Sequence, residues 1–487
     1  DVYKGQLAYH MAGDDKMERK RYEIRQENLM VRSVFPVSSI LFMDTTLAPG
    51  EHGRLCLKVL FQADKVKEIE NTVYDKEEIQ AFYCGHDSMQ TIFRGRVQKL
   101  VIHKKGAVTE GEIHVVAYTW DMDKIFANRS FQSMELSYGA VAEEIARPYS
   151  AGFLVDSGVD LNTNLQNPLI QYEETDWAFL KRLASHLGTT VYSEMTTGKP
   201  NFIIGLQQGE ERTLDHSHVI RRFRIDHQYC RSFILEHKKP FYMGDTIKYE
   251  QYPYRLIKKR VLFEKGELVF HDYFGEKQIL FREKEYNKAM HGLRLEGTVE
   301  KTEQESVYVQ LDIDETGRTT NPWAWKPGIN SNWYMMPEIA TKVILSFPTA
   351  DESDGFAANS FHRKDIFSYT QNRELHTIHQ KKLELYADQI SASSNQHELS
   401  VMLNDASGIQ IKSNENILIQ AENTVTIKAD SVTGSAPNRT TLQNSQANLA
   451  INGSFNFYAP NGVKSTGNGL QAVRSTPKRE NSSEERP

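Results

Sequence analysis

The sequence predicts a mainly β protein with a few helices, and three observations carry that prediction. First, residues 401–430 read in eights as VMLNDASG, IQIKSNEN, ILIQAENT and VTIKAD. Val401, Ile409, Ile417 and Val425 share one column, and Leu403, Ile411, Ile419 and Ile427 share the next. Apolar and polar residues alternate within each octad, which is the strand period, so each octad reads as a short strand and a polar turn. Second, RLCLKVLFQ (54–62), TIFRGRVQKLVIHKK (91–105) and GEIHVVAYTW (111–120) mostly alternate with period two, as antiparallel strands with one wet face do. Third, helical spacing is confined to short stretches, the clearest placing Trp177, Leu180, Ala184 and Leu187 on one apolar face.

The 487 residues give room for about three or four domains. A hydrophobic share of 39% and a charged share of 25% suit a soluble protein. No stretch approaches about 18 uninterrupted apolar residues, so no membrane-spanning helix is expected. The net charge of −6, with both signs mixed, argues against a dedicated nucleic-acid binder. The early segment GDDKMERKRYE is polar and does not read as a secretory signal. Cys56, Cys84 and Cys230 are scattered and odd in number, which suits reduced thiols rather than a disulfide framework or a zinc site.

Taken in order, residues 1–30 are charged and read as an N-terminal arm, and strands with turns fill 31–130. In 131–200, Ser137 is placed to cap a helix over YGAVAEEIARPY that Pro148 stops. Thr175 or Asp176 can cap a second helix running to about Leu187, with Gly188 as its stop. TTVYSE and NFIIGL then read as paired strands. Strands resume over 201–285, with Lys265-Gly266 at a hairpin turn. A small barrel is expected over 286–355, a polar linker over 356–380, strands over 381–470 and a disordered tail over 471–487.

One chain buries the octad columns poorly. A single-chain solenoid needs about 18 or more residues per coil and about three coils to be stable. Three chains wound together would turn the eight aliphatics of each into a closed apolar axis. At about 1.5–3 kcal/mol per buried side chain, the gross gain is tens of kcal/mol before conformational entropy.

Several segments carry a family likeness. QYEETDWAFLKRLASHLG and SFQSMELSYGAVAEEIARPY resemble the helical part of VgrG-type spikes and phage tail hub proteins. GDTIKYEQYPYRLIKKRVLFEKGEL resembles the second hub barrel. SVYVQLDID with YMMPEIATKVILSFPTADESDGFAANS resembles the oligonucleotide/oligosaccharide-binding (OB-fold) type barrel that follows it, and the octads resemble the trimeric β-helix needle. The likeness covers nearly the whole chain, in the family's domain order.

The resemblance implies two hub β-barrels (31–130 and 201–285), an OB-fold-type small barrel and an intertwined trimeric β-helix needle. It implies a homotrimeric central spike of a contractile injection system, assembled in the bacterial cytoplasm. Such a spike matches a threefold needle to the hexameric tail tube, meets baseplate proteins, carries a separate PAAR-like tip protein and pierces the target envelope. It singles out Asp176, Trp177, Phe179, Leu180 and Leu183 as the hub helix motif. Two features of some members are not expected here. The stretch 351–380 is too short for a lysozyme domain, and 471–487 is too short for folded cargo.

Other residues invite chemical readings. Glu173, Glu174 and Asp176 could serve acid–base work, but a helix start favours carboxylates for capping and dipole reasons. Asp351, Glu352 and Asp354 lack the spacing of an ion loop. His376 and His379 could meet on one face as metal ligands, yet they lie before the needle rather than at its tip. Trp323, Trp325, Trp333 and Tyr334 suit core packing or a stacking platform, and Lys258, Lys259 and Arg260 suit a solvated strand face. Asn128-Arg-Ser and Asn438-Arg-Thr match a glycosylation pattern that means little without a secretion signal. No catalytic residue, metal site or cofactor is expected, and the chain is expected not to be an enzyme. The rival reading is a polysaccharide-degrading or receptor-binding tail spike.

Overall fold

The computed structural model describes residues 21–451 apart from 66, 68, 70–76, 87, 215–218, 226–230, 250, 316–319, 329–335, 362–372, 378, 395–397 and 444–447. The expectations for 1–20, Cys230, Trp333, Tyr334, the end of the expected needle and the tail fall outside the described residues. The chain divides into two compact units, Asp1–Thr370 and Gln371–Pro487.

The first unit begins with seven strands: β1 (Tyr22–Gln26), β2 (Leu29–Ser33), β3 (Val37–Leu47), β4 (Arg54–Phe61), β5 (Glu78–Cys84), β6 (Met89–Lys105) and β7 (Val108–Val116). β8 (Phe126–Phe131) leads to helix α1 (Tyr138–Ala146). There the Ser137 hydroxyl accepts the Ala140 N–H at 3.2 Å, as the cap reading expects. Next come β9 (Phe153–Val155), β10 (Leu169–Thr175), helix α2 (Asp176–His186), β11 (Val191–Ser193) and β12 (Phe202–Ile204). β8 pairs antiparallel with β10, and β11 with β12.

β13 (Glu211–Arg212), β14 (Val219–Ile225), β15 (Arg231–His237), β16 (Thr246–Tyr249), β17 (Tyr252–Glu264) and β18 (Glu267–Gly275) complete the hub strands. One sheet of 13 strands runs β1-β2-β5-β6-β7-β4-β3-β17-β18-β15-β14, with β16 on β17 and β13 on β16. The two hub segments are therefore joined edge to edge where β3 pairs with β17, Met43 opposite Phe263. β1 and β2 belong to this sheet, so the last third of the expected arm, residues 21–30, is part of the hub. β17 and β18 meet through a two-residue turn in which Lys265 has φ 55° and Gly266 φ 86°, the left-handed pair that a tight hairpin requires. Leu57, Val59, Ile79, Phe93, Ile113 and Phe270 lie among the fully buried side chains behind the sheet.

β19 (Arg294–Glu303), β20 (Ser306–Leu311), β21 (Trp323–Trp325), β22 (Lys342–Ser346) and β23 (Phe356–Phe361) form a closed five-stranded barrel in the order β19-β20-β21-β23-β22. Its core holds Val307, Val309, Val343, Leu345 and Trp323. This corrects the linker reading of 356–380. FAANSF forms the closing strand, its Ala357 fully buried and in register with Leu345.

The second unit opens with β24 (Arg373–His376), which the sequence also reads as linker. β25 (Lys381–Leu385), β26 (Gln389–Ser394), β27 (Leu399–Asn404) and β28 (Gly408–Lys412) follow it in an antiparallel meander. β29 (Thr440–Gln443) and β30 (Asn448–Ile451) pair separately. The first two octads thus form strands joined by a turn. The third and fourth, within 413–439, carry no strand among the described residues.

Gly244 marks a tight crossing inside the hub. Its φ is 87°, and a Cβ there would lie 1.8 Å from the Gln207 carbonyl oxygen. Gly244→Ala is expected to cost about 3 kcal/mol, measured as a lowered urea midpoint of the chain. An unchanged midpoint contradicts this crossing.

Candidate functional site

Helix α2 is where the first unit is pinned together. The Thr175 hydroxyl accepts the Ala178 N–H at 3.2 Å and donates to Asp123, so Thr175 rather than Asp176 is the cap. Asp176, the first helical residue, accepts from Arg129 at 2.5 Å, Gln171 at 2.9 Å and Tyr149 at 2.8 Å. Trp177 lies 4.6 Å from the His52 ring and donates from Nε1 to the Gly50 carbonyl at 3.2 Å. Phe179 stacks on Phe131 at 5.6 Å, while Leu180 and Leu183 are buried beside it. All five residues of the hub helix motif therefore face inward.

Arg182 is the charged centre of this junction and is 3% exposed. Its Nη1 donates to Glu352 at 2.7 Å, and its Nη2 to Glu174 at 2.9 Å and to the Ile170 carbonyl at 2.9 Å. Burial works against the guanidinium's charge, and Glu352 and Glu174 more than offset it, holding its pKa above the ordinary value. One cation shared by two carboxylates leaves Glu174 short of compensation. Burial raises its pKa despite Arg182. Glu352 belongs to the small barrel's last turn, so this ion pair ties helix α2 to that barrel. Sequence reasoning missed Arg182. The available signal is its position three residues after Phe179, on the buried side of the helix.

The remaining chemical candidates disperse. Glu173 is exposed, and Glu174 and Asp176 point to different arginines. Asp351 caps a short turn through the Ser353 N–H at 2.9 Å, Asp354 accepts from Thr349 at 2.6 Å, and Glu352 turns inward. Those three carboxylates do not form one cation site. Trp323 is core, its Nε1 donating to Gln132 at 2.8 Å. Lys258 lies over Tyr273, Lys259 donates to the Phe241 carbonyl, and Arg260 pairs with Asp44, so these three serve different contacts. His379 is exposed, and the His376 side chain lies outside the described residues.

The second unit presents a different feature. Register places Leu375 beside Leu383, Leu385 beside Ile390, Ile390 beside Leu403, Leu403 beside Ile409 and Val401 beside Ile411. These eight aliphatics lie on one face of the meander and are 42–71% exposed. Ile417, Ile419, Val425 and Ile427 beyond it are 51–71% exposed. On the opposite face Glu384 and Ser391 are buried, with Ser391 donating to Glu384 at 2.8 Å. The sheet hides polar groups and bares its aliphatic side, the reverse of a self-sufficient domain.

No known protein-family model and no curated protein matches the chain. Solved structures do. An Escherichia coli type VI secretion component (c3393), itself described as similar to the bacteriophage T4 tail proteins gp27 and gp5, is matched at 13% identity and a TM-score of 0.50, over 70% of this chain and 100% of that one. The lidded Francisella PdpA–VgrG complex is matched at 9% identity and a TM-score of 0.51, over 77% of this chain and 76% of that one. The fold is that of the hub and spike proteins of phage tails and type VI secretion. In fold the chain is similar to VgrG-type spikes.

Two predictions follow from the junction. Glu352→Ala leaves Arg182 with one carboxylate fewer in a dry site and should cost about 3–5 kcal/mol in urea unfolding followed by tryptophan fluorescence. Replacing all three charges together (Arg182→Met, Glu174→Gln, Glu352→Gln) should recover most of that loss. The second concerns acid. Burial lowers the pKa of His52 from 6.5, with Lys181 and Arg54 adding to it against the hydrogen bond and charge of the accepting Asp123 carboxylate. Burial likewise lowers His186 to about 4. In that window the unfolded chain holds protons that the folded chain does not, so stability falls as pH drops below 6.5. The melting temperature should decrease from about pH 7 to pH 5, and His52→Gln should shallow the slope.

Proposed function

We propose that this chain is the central spike of a contractile injection system: a homotrimer whose first unit is the hub and whose second unit contributes one third of a needle. The bare aliphatic face of the second unit carries the reading. Val401, Leu403, Ile409, Ile411, Ile417, Ile419, Val425 and Ile427 all remain exposed in one chain. Burying them among three copies gains about 1.5–3 kcal/mol for each side chain. The exposed edge strand β28 would find a partner in the same step.

On this reading the hub segments, being joined in one sheet and alike in strand content, each present a tube-facing position. Three chains then offer six positions to a hexameric tail tube, while the needle keeps threefold symmetry. Baseplate proteins and a PAAR-like tip are the further partners, and the target envelope is what the needle crosses. The role is mechanical rather than enzymatic. Engagement of Glu174, Asp176 and Glu352 in ion pairs supports that, since each is committed to holding the hub. No nucleic-acid partner is proposed.

The test is oligomeric state. The full chain should elute with light scattering at three times its 55.9 kDa mass. Ile411→Asp with Ile419→Asp sets three like charges in each of two layers of the axis and should abolish that species. Persistence of the trimer in this variant, or a monomeric wild-type chain, overturns the reading.

A further inference from the structure

We propose that Cys56, Glu112 and His114 form a binding site for a thiophilic divalent metal ion, Zn²⁺ in the first instance. β4 and β7 pair with Cys56 opposite His114, and Glu112 lies two residues along on the same face. The sulfur, imidazole nitrogen and carboxylate oxygen all lie within 4.8 Å of one another, and each residue is half-buried. His114 Nε2 already stands 2.8 Å from a Glu112 oxygen. Behind them Leu55, Leu57, Ile113 and Val115 are locked in the hub core. The three donors therefore project from a rigid two-strand frame.

The chemistry suits the ion. Zn²⁺ takes Cys sulfur at about 2.3 Å and His nitrogen or carboxylate oxygen at about 2.0–2.2 Å. Tetrahedral donors are then about 3.3–3.8 Å apart, so rotamer changes of about an ångström close the set. The Cys56 thiol gives its proton to solvent as the S–metal bond forms, and thiolate and carboxylate together balance the 2+ charge. Three protein ligands leave one position for water. Arg54 and Lys99 border the same cavity of about 490 Å³, so no general negative field gathers cations there. Asp44, opposite Cys56 on its other side, is held by Arg260 at 2.8 and 3.0 Å. Affinity rests on sulfur and nitrogen, which selects Zn²⁺ or Co²⁺ and rejects Mg²⁺ and Ca²⁺. Sequence spacing could not reveal the set, because strand pairing alone brings position 56 to position 114.

The experiment is titration of the untagged full chain with Co²⁺, read by absorbance, and with Zn²⁺, read by equilibrium dialysis. One equivalent per chain is expected, with a near-ultraviolet thiolate-to-cobalt charge-transfer band. Cys56→Ser should remove that band, and His114→Ala should weaken Zn²⁺ binding by at least tenfold. Unchanged unfolding of both metal-free variants excludes misfolding as the cause. Absence of the band in the wild type, or its persistence in Cys56→Ser, overturns the site.

Discussion

A single guanidinium, that of Arg182, sets the arrangement of the first unit. A fully buried cation is costly unless charges and lone pairs surround it, and its partners come from distant places: Ile170 and Glu174 beside helix α2, and Glu352 at the end of the small barrel. Moving the barrel would strand the charge. The same helix anchors its other end through Asp176 and Trp177, to Arg129 and to the loop at Gly50. An 11-residue helix in a β protein thus acts as a peg with one ion pair at its start, Asp176 with Arg129, and another further along at Arg182. Neutral packing could supply similar stability. What the ion pair adds is intolerance of other arrangements.

The second unit obeys the opposite logic. Its hydrogen-bonded meander is regular, yet its aliphatic face is bare while Glu384 and Ser391 are enclosed. A domain of that size with so much apolar surface left in water has little to offset chain entropy. On the proposed reading, neighbouring copies supply that cover. Concentrating that requirement in one unit leaves the other, with four sizeable buried clusters, free to fold by itself.

What the sequence disclosed and what it hid separate along a physical line. Local signals were legible: the Ser137 and Thr175 caps, the Lys265-Gly266 turn, the buried stripe of helix α2 and the octad columns each depend on residues a few positions apart. Pairings across long separations were not. Nothing near Met43 announces that it will lie opposite Phe263, and nothing near Arg182 announces Glu352. The strand FAANSF reads as linker because one alanine, Ala357, is all it gives the barrel core, a weak apolar signal that suffices where Phe347 and Trp323 fill the barrel around it. The octads misled in a different way. Their period is genuine, but a period states only which residues share a face, and the third and fourth octads carry no strand among the described residues.

The uncovered aliphatic face also bears on the number of copies. Two meanders packed face to face would bury Leu375, Leu383 and their neighbours in an ordinary sandwich, so the exposed sheet alone admits a dimer. Ile417, Ile419, Val425 and Ile427 are harder to satisfy that way. They continue the two columns beyond β28, along a stretch with no strand partner among the described residues. A twofold sandwich leaves this extension unpaired, with its backbone groups in water and its aliphatics uncovered. Winding three chains gives every octad a neighbour on each edge and carries both columns onto one axis. The continuation of the pattern past the last strand, more than the bare sheet itself, is what favours three copies over two.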